Sequence, residues 1–234
     1  MRVMRGLFVS GTGTGVGKTW VTRGLARALA RGGERVVALK PIETGCDPEP
    51  ADAIALARAC GRPELARAPG LYRARLPAAP YAAQLEGEPA PDLGALAARA
   101  RELARADLAL VEGAGGLLVP ATRHQDMADL ARALALPIGL VAVDALGVLS
   151  DVLAYVEVAR ARGLAVAWVA LTPRVPPSGS PPHNAAILAE RLAIPVQRVA
   201  QAGDEDDALA DAVERAGLVE LTRALGRTPS LEGG

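Results

Sequence analysis

Apolar positions along the chain fall into two rhythms. Short continuous runs at 5–10, 35–40, 107–112, 137–143, 164–171 and 195–199 read as buried strands. Stretches with apolar residues every three or four positions separate them and read as helices: 18–31, 52–60, 92–106, 126–135, 147–162, 183–192, and 204–225 in one or two pieces. In the first helix Val21, Leu25, Ala28 and Leu29 share one face, Arg23, Arg27 and Arg31 take the other, and Gly32-Gly33 stops it. Pro41 ends the second strand, because it has no N–H for a ladder. Residues 41–50 read as a polar loop. Residues 61–91 are the least regular part, with a short helix at 81–86, and 172–182 is a Pro/Ser/Gly loop. The tail from Gly226 reads as frayed. Strands alternating with helices predict parallel pairing and right-handed crossovers. The expected fold is α/β: one domain over 1–234, a mostly parallel sheet with helices on both faces.

Composition narrows the function classes. The 26 basic and 26 acidic residues balance, so no broad attraction to nucleic acid or to acidic membranes is implied. No apolar run approaches the roughly 20 residues of a membrane span. The first strand starts almost at once, so no signal peptide is expected. Cys46 and Cys60 lack metal-like neighbours and read as free thiols, so a cytoplasmic location is expected. His124 and His183 stand alone, which favours surface or capping roles over metal binding. No Ser/His/Asp or Cys/His nucleophilic set and no Asn-Lys-x-Asp guanine reader is present. Only Lys18 and Lys40 are lysines; every other basic residue is arginine. Where arginine replaces lysine wherever either serves, a retained lysine marks a place that needs a compact point charge rather than a planar fork.

The candidate chemistry lies at three strand ends. Gly11-Thr12-Gly13-Thr14-Gly15-Val16-Gly17-Lys18-Thr19 joins the first strand to the first helix and continues into Trp20. It departs from the strict Gly-x-x-x-x-Gly-Lys-Ser/Thr pattern, because Thr12 stands where the first glycine belongs. The physics of a phosphate loop survives the change. Glycines turn backbone N–H groups toward phosphate oxygens and the helix presents its positive end. Lys18 reaches the terminal phosphates and Thr19 offers a hydroxyl to Mg²⁺. Lys40 lies at the carboxyl end of the second strand, on the same edge. Asp52 opens a helix, where a dipole or capping role is the ordinary one. Glu112 ends an apolar strand before Gly113-Ala114-Gly115-Gly116, the arrangement in which an acid handles Mg²⁺. Those glycines predict close backbone approach to a ligand. No residue stands out as a base for activating water, which suits a nucleophile that is already an anion.

The chain resembles dethiobiotin synthetases over roughly residues 5–195. The carriers are Gly-Thr-x-Thr-x-Val-Gly-Lys-Thr at 11–19, Lys-Pro-x-x-Thr-Gly at 40–45, Asp-Ala-Ile-Ala-Leu at 52–56 and Val-Glu-Gly-Ala-Gly-Gly at 111–116. The resemblance implies an ATP- and Mg²⁺-dependent ligase. One amine of 7,8-diaminononanoate takes up CO₂, the carbamate takes the γ-phosphoryl of ATP, and the second amine closes a ureido ring. By motif position, Lys18, Lys40 and Thr14 would be catalytic, and Gly15, Val16, Gly17, Trp20, Gly113, Ala114 and Gly115 would line the nucleotide. Thr44 would contact substrate, Leu146 and Gly147 lie in a loop that would reach across to the partner's substrate, and Thr19, Asp52 and Glu112 would hold Mg²⁺. The family's homodimer places the substrate site at the subunit interface.

Several positions depart from the family. Gly13 and Gly15 stand where acids are frequent, and Ser150-Asp151 where Asn-His is common. Leu171-Thr172 occupies the place of a base-reading Asn, so weak discrimination among nucleoside triphosphates is expected. Two rival readings share the phosphate loop. A cobyrinate-type synthetase domain would normally come with a glutamine-hydrolysing cysteine domain. A partitioning or positioning ATPase usually carries an extra lysine early in the loop, where this chain has Gly13.

Overall fold

The structure is a computed structural model and describes residues 4–105, 107–174 and 183–225. Eight strands and nine α-helices are assigned among them. β1 (Arg5–Gly11), β2 (Val36–Leu39), β5 (Leu108–Gly116), β6 (Ile138–Asp144), β7 (Val166–Pro173) and β8 (Val196–Arg198) form one sheet in the order β2-β5-β1-β6-β7-β8. All its pairings are parallel. The apolar runs are continuous rather than alternating because both faces are covered; Leu7, Phe8 and Val9 of β1 are wholly buried.

α1 (Lys18–Arg31) follows β1, and the predicted faces hold. Val21, Leu25, Ala28 and Leu29 are fully buried. Opposite them, Arg23, Arg27 and Arg31 form ion pairs with Asp204, Asp206, Asp207, Asp211 and Glu214, on and just before α8 (Asp206–Arg215). Most of this ladder is exposed, where a pair contributes about 0–1 kcal/mol; Arg23 with Asp206 is the buried rung. Gly24 lets the two helices approach, since a Cβ there would lie 2.7 Å from Leu209 O. The terminal helical stretch comes in two pieces, α8 and α9 (Leu218–Leu225), broken at Gly217 with φ of 74°.

The remaining helices are α2 (Ala51–Ala59), α3 (Pro80–Leu85), α4 (Leu93–Leu103), α5 (Met127–Leu134), α6 (Val148–Ala161) and α7 (Asn184–Leu192). Asp92 caps α4 through a bond from Ala95 N, and Asp126 and Asp129 form a reciprocal capping box on α5. The structure corrects the sequence reading in four places. The loop 41–50 contains β3 (Ile42–Thr44), and the irregular stretch 61–91 contains β4 (Tyr72–Ala74) and a 3₁₀ turn at Pro63–Leu65. β3 and β4 pair in parallel as a separate two-stranded sheet. Strands of three residues are too short to show a period. β5 runs on through the glycines to Gly116, because Gly11 of β1 keeps pairing there. α4 ends at Leu103, three residues before the expected Ala106, as the chain turns into β5.

Cys46 and Cys60 are buried free thiols, as expected. Among the described residues no helix is long and apolar enough to cross a membrane. The frayed tail and most of the 172–182 loop lie outside the described residues.

Candidate active site

Strand register assembles the site. Val9 of β1 pairs with Glu112 of β5, and Leu39 of β2 pairs with Val111. Lys40, one residue beyond β2, is therefore level with Glu112. α2 then brings Asp52 to the same point. Lys40 Nζ donates to Glu112 Oε1 and to Asp52 Oδ2, each over 2.6 Å. Thr19, in the first turn of α1, donates its hydroxyl to the same Glu112 oxygen over 2.8 Å. Asp52 sits in the first turn of α2 but does not cap it; the N-cap position is Pro50. Its carboxylate faces Lys40 instead, which removes the ordinary capping explanation.

The phosphate loop closes the other wall. Gly17 is the N-cap of α1 at φ of 92°, a conformation that disfavours side chains, and a Cβ there would also meet the Thr172 methyl at 3.1 Å. Lys18 is buried and its Nζ donates to Gly13 O over 2.7 Å, so the lysine folds back across its own loop. Together the walls enclose a cleft of about 390 Å³ lined by Thr14, Gly15, Gly17, Lys18, Thr19, Trp20, Lys40, Glu43, Thr44, Asp52, Ala114 and Gly115.

The two lysines have opposite electrostatics. Burial brings the Lys18 ammonium down to about 8; Glu112 and Asp52 offset this only in part, and Lys40 repels it. Burial also acts against charge on Lys40, but Glu112 and Asp52 more than reverse it and hold the ammonium above its ordinary value. Lys40 thus stays a fixed cation, whereas Lys18 titrates at about 8.

The donor set fits Mg²⁺. A hydroxyl and two carboxylates are hard oxygen ligands, and Mg²⁺ is usually held by one or two carboxylates plus substrate phosphates. Glu112 Oε2 is buried without a hydrogen-bond partner, an acceptor still open beside Thr19 and Lys40. Among the described residues no group of three His, Cys, Asp or Glu gathers as a self-contained metal cage, so phosphates would complete the shell.

Four expected site residues do not line the cleft of their own chain. Val16 packs its side chain on Gly11 and does not line the cleft. Gly113 is buried, and the space its Cβ would take is filled by the Phe8 ring at 2.8 Å, so packing alone already requires a glycine here. Leu146 is 96% exposed and Gly147 is the N-cap of α6; neither lines the cleft of its own chain, in which the sequence reading did not place them. Conversely, the sequence reading passed over Glu43. Its carboxylate lines the cleft and accepts from the N–H groups of Asp52 (2.8 Å) and Ala53 (3.0 Å), clamping the start of α2. Burial raises its carboxyl above the ordinary value, against the pull of those two donors. An acid inside the Lys-Pro-x-x-Thr-Gly segment was the available signal. Thr172, noted in the sequence only as standing in the place of a base-reading Asn, has a bracing role: its hydroxyl contacts Val16 O at 2.9 Å and Ala142 O at 3.2 Å, holding the loop from β7.

A second hollow adjoins the cleft at Thr14. It measures about 580 Å³, and Leu117, Val119, Pro120, Tyr155 and Val158 make it largely apolar.

A protein family described as AAA domain matches residues 5–222. An ATP-dependent dethiobiotin synthetase BioD from Anaeromyxobacter dehalogenans is 46% identical over 191 residues, covering 80% of this chain and 85% of that protein. The protein of that name from Caulobacter vibrioides is 44% identical over 176 residues, covering 72% of this chain and 80% of its own. Among solved structures, the cell division protein FtsY of Thermotoga maritima superposes with a TM-score of 0.53 at 18% identity. That match spans 88% of this chain and 64% of FtsY, and it shows the fold alone. The four motifs, the register that joins them and relatives at 44–46% identity agree: the chain belongs to the ATP-dependent dethiobiotin synthetase family.

Proposed function

We propose that this protein is the ATP-dependent ligase of biotin biosynthesis that closes the ureido ring of dethiobiotin from 7,8-diaminononanoate and CO₂. One observation carries the reading: at Thr14 a cationic, carboxylate-lined cleft meets an apolar hollow of about 580 Å³. The cleft suits a triphosphate and a carbamate. The hollow suits the aliphatic chain of a nine-carbon acid.

The carbamate forms when one amine adds to CO₂ and loses a proton. Its oxygen then attacks the γ-phosphorus, and ADP leaves. The second amine attacks the carbamoyl carbon of the mixed anhydride, the C–O bond to phosphate breaks, and a further proton is released. Lys18 holds the terminal phosphates, for which its ammonium leaves Gly13 O. Lys40 balances charge between the carbamate and the phosphoryl group in flight. Thr14 and Thr44 hydrogen-bond the reacting carbamate from the cleft wall. Thr19, Asp52 and Glu112 would hold Mg²⁺, which neutralises charge on the β- and γ-phosphates when bound. Leu118 lines the hollow yet is 50% exposed, which fits a second copy of the chain covering the hollow in a homodimer.

The test is phosphate release from MgATP with and without diaminononanoate plus bicarbonate. Release that depends strongly on both additions is the expected result. Release indifferent to the diamine but stimulated by DNA or lipid would overturn the reading in favour of a switch ATPase.

A further inference from the structure

A polar cluster outside the carboxylate cleft stands at the same edge of the sheet. Asp144 ends β6, and its side chain is only 9% exposed. Arg198 ends β8, and its Nε lies 2.9 Å from Asp144 Oδ2. Asn184, the first residue of α7, donates from Nδ2 to Asp144 Oδ1 over 2.7 Å. β7 runs between β6 and β8, so the Asp144–Arg198 pair crosses over the carboxyl end of β7. Val143 pairs with Thr172, and Leu171 pairs with Arg198. At ordinary strand spacing and rise, the Cα atoms of Asp144 and Arg198 are each about 6 Å from that of Thr172. Thr172 in turn braces Val16 and sits against Gly17. The cluster therefore borders the flank of the phosphate loop opposite Lys40 and Glu112.

Lys18, Lys40 and Glu112 claim the γ end of a nucleotide on the β2–β5 side. The nucleoside then leaves over the other flank, toward the ends of β6, β7 and β8. Thr172 has no free proton for a base, because its hydroxyl is directed at two backbone carbonyls. Asn184 is differently placed. Asp144 only accepts, so the amide must turn Nδ2 toward it and Oδ1 away. The outward face of the amide then offers an acceptor beside its remaining N–H.

We propose that Asn184, oriented by Asp144 with Arg198 behind it, reads the nucleobase. It selects bases with an exocyclic amino group beside a ring-nitrogen acceptor, adenine and cytosine, over guanine and uracil, which present a carbonyl beside a ring N–H. The proposal rests on the nucleotide-binding reading above, and it replaces the weak discrimination expected from the missing Asn at the end of β7.

Calorimetric titration of the full chain with ADP, CDP, GDP and UDP, in the presence of Mg²⁺, tests it. Wild type is expected to bind ADP and CDP on the order of tenfold to a hundredfold more tightly than GDP and UDP, the range of one bidentate amide–base pair. Asn184→Leu lowers ADP and CDP affinity to the GDP level and leaves GDP and UDP unchanged. Asp144→Asn removes the group that fixes the amide, so GDP and UDP gain relative to ADP. A purely structural role would weaken all four nucleotides alike. Equal affinities in wild type, or an unchanged ADP-to-GDP ratio in a folded Asn184→Leu, would overturn the proposal. Failure of wild type to bind any of the four would instead overturn the nucleotide reading itself.

Discussion

Replacing Lys40 by Met keeps the length of the side chain and removes its charge from a carboxylate pair. Lys40 is 7% exposed and Glu112 is 0% exposed, with 2.6 Å between Nζ and Oε1. At an effective dielectric of about 20, each contact of that length corresponds to roughly 6 kcal/mol of attraction, most of it offset by desolvation. Removing one partner is a different matter, because it strands a buried charge at a cost of about 3–5 kcal/mol. The Glu112 contact dominates, since the side chain of Asp52 is 41% exposed and water screens it. At about 2–4 °C per kcal/mol for a chain of this size, the midpoint of thermal unfolding should fall by about 6–20 °C. The assay is urea unfolding followed by circular dichroism without nucleotide or divalent cation, with the slope checked against wild type. Glu112→Gln combined with Lys40→Met should recover about 2 kcal/mol relative to the sum of the single changes. A cost for Lys40→Met below about 1 kcal/mol, or a strictly additive pair, would refute the claim that these groups form one buried unit.

Three further outcomes are expected. Lys40→Arg should bind ADP within about threefold of wild type yet lose on the order of 10²-fold or more in turnover, because a planar fork cannot replace a point charge at the transferring group; wild-type turnover in steady-state assays would contradict this. Lys18 in the free protein titrates near 8, below the ordinary 10.5 that the unfolded chain retains. Bound phosphates favour the charged form, so ADP binding should take up a proton and weaken by up to tenfold per pH unit above about 8. The unfolded chain keeps its proton longer, so stability of the unliganded protein should rise across the same window; titration in two buffers of different ionisation enthalpy checks the uptake, and flat affinity from about pH 7 to 9.5 would exclude it. Gly24→Ala should destabilise by about 1–3 kcal/mol through the contact of its Cβ with Leu209 O, against about 1 kcal/mol gained in helix propensity; nucleotide affinity should not change, and a more stable variant would show that α8 yields freely.

Much of the site was legible because its chemistry is concentrated at strand ends. Lys18 and Thr19 follow a strand and open a helix, Glu112 closes a strand, and two retained lysines among arginines pointed to Lys40 before any geometry. Residues working across elements were not legible. Glu43 looks like a solvated acid until α2 turns its first N–H groups onto it. Asp52 satisfied a capping rule and does something else, because β2 ends level with it. That the space a side chain at Gly113 would take is filled by Phe8 shows only once β1 packs beside β5.

The sequence by itself determined the alternation of strands and helices, the buried face of α1 and the candidate residues Lys18, Thr19, Lys40, Asp52 and Glu112 that meet at the cleft. Each of these is set by local spacing, and spacing is what a chain displays directly. Only the tertiary structure decided that β5 lies between β1 and β2, which brings Glu112 to Lys40 and Thr19. It alone paired β3 with β4, seated the apolar hollow beside Thr14, and carried Asn184 to Asp144 across forty positions of chain. Those contacts depend on which strands become neighbours, a choice made by packing both faces of one sheet at once and written in no single stretch of residues.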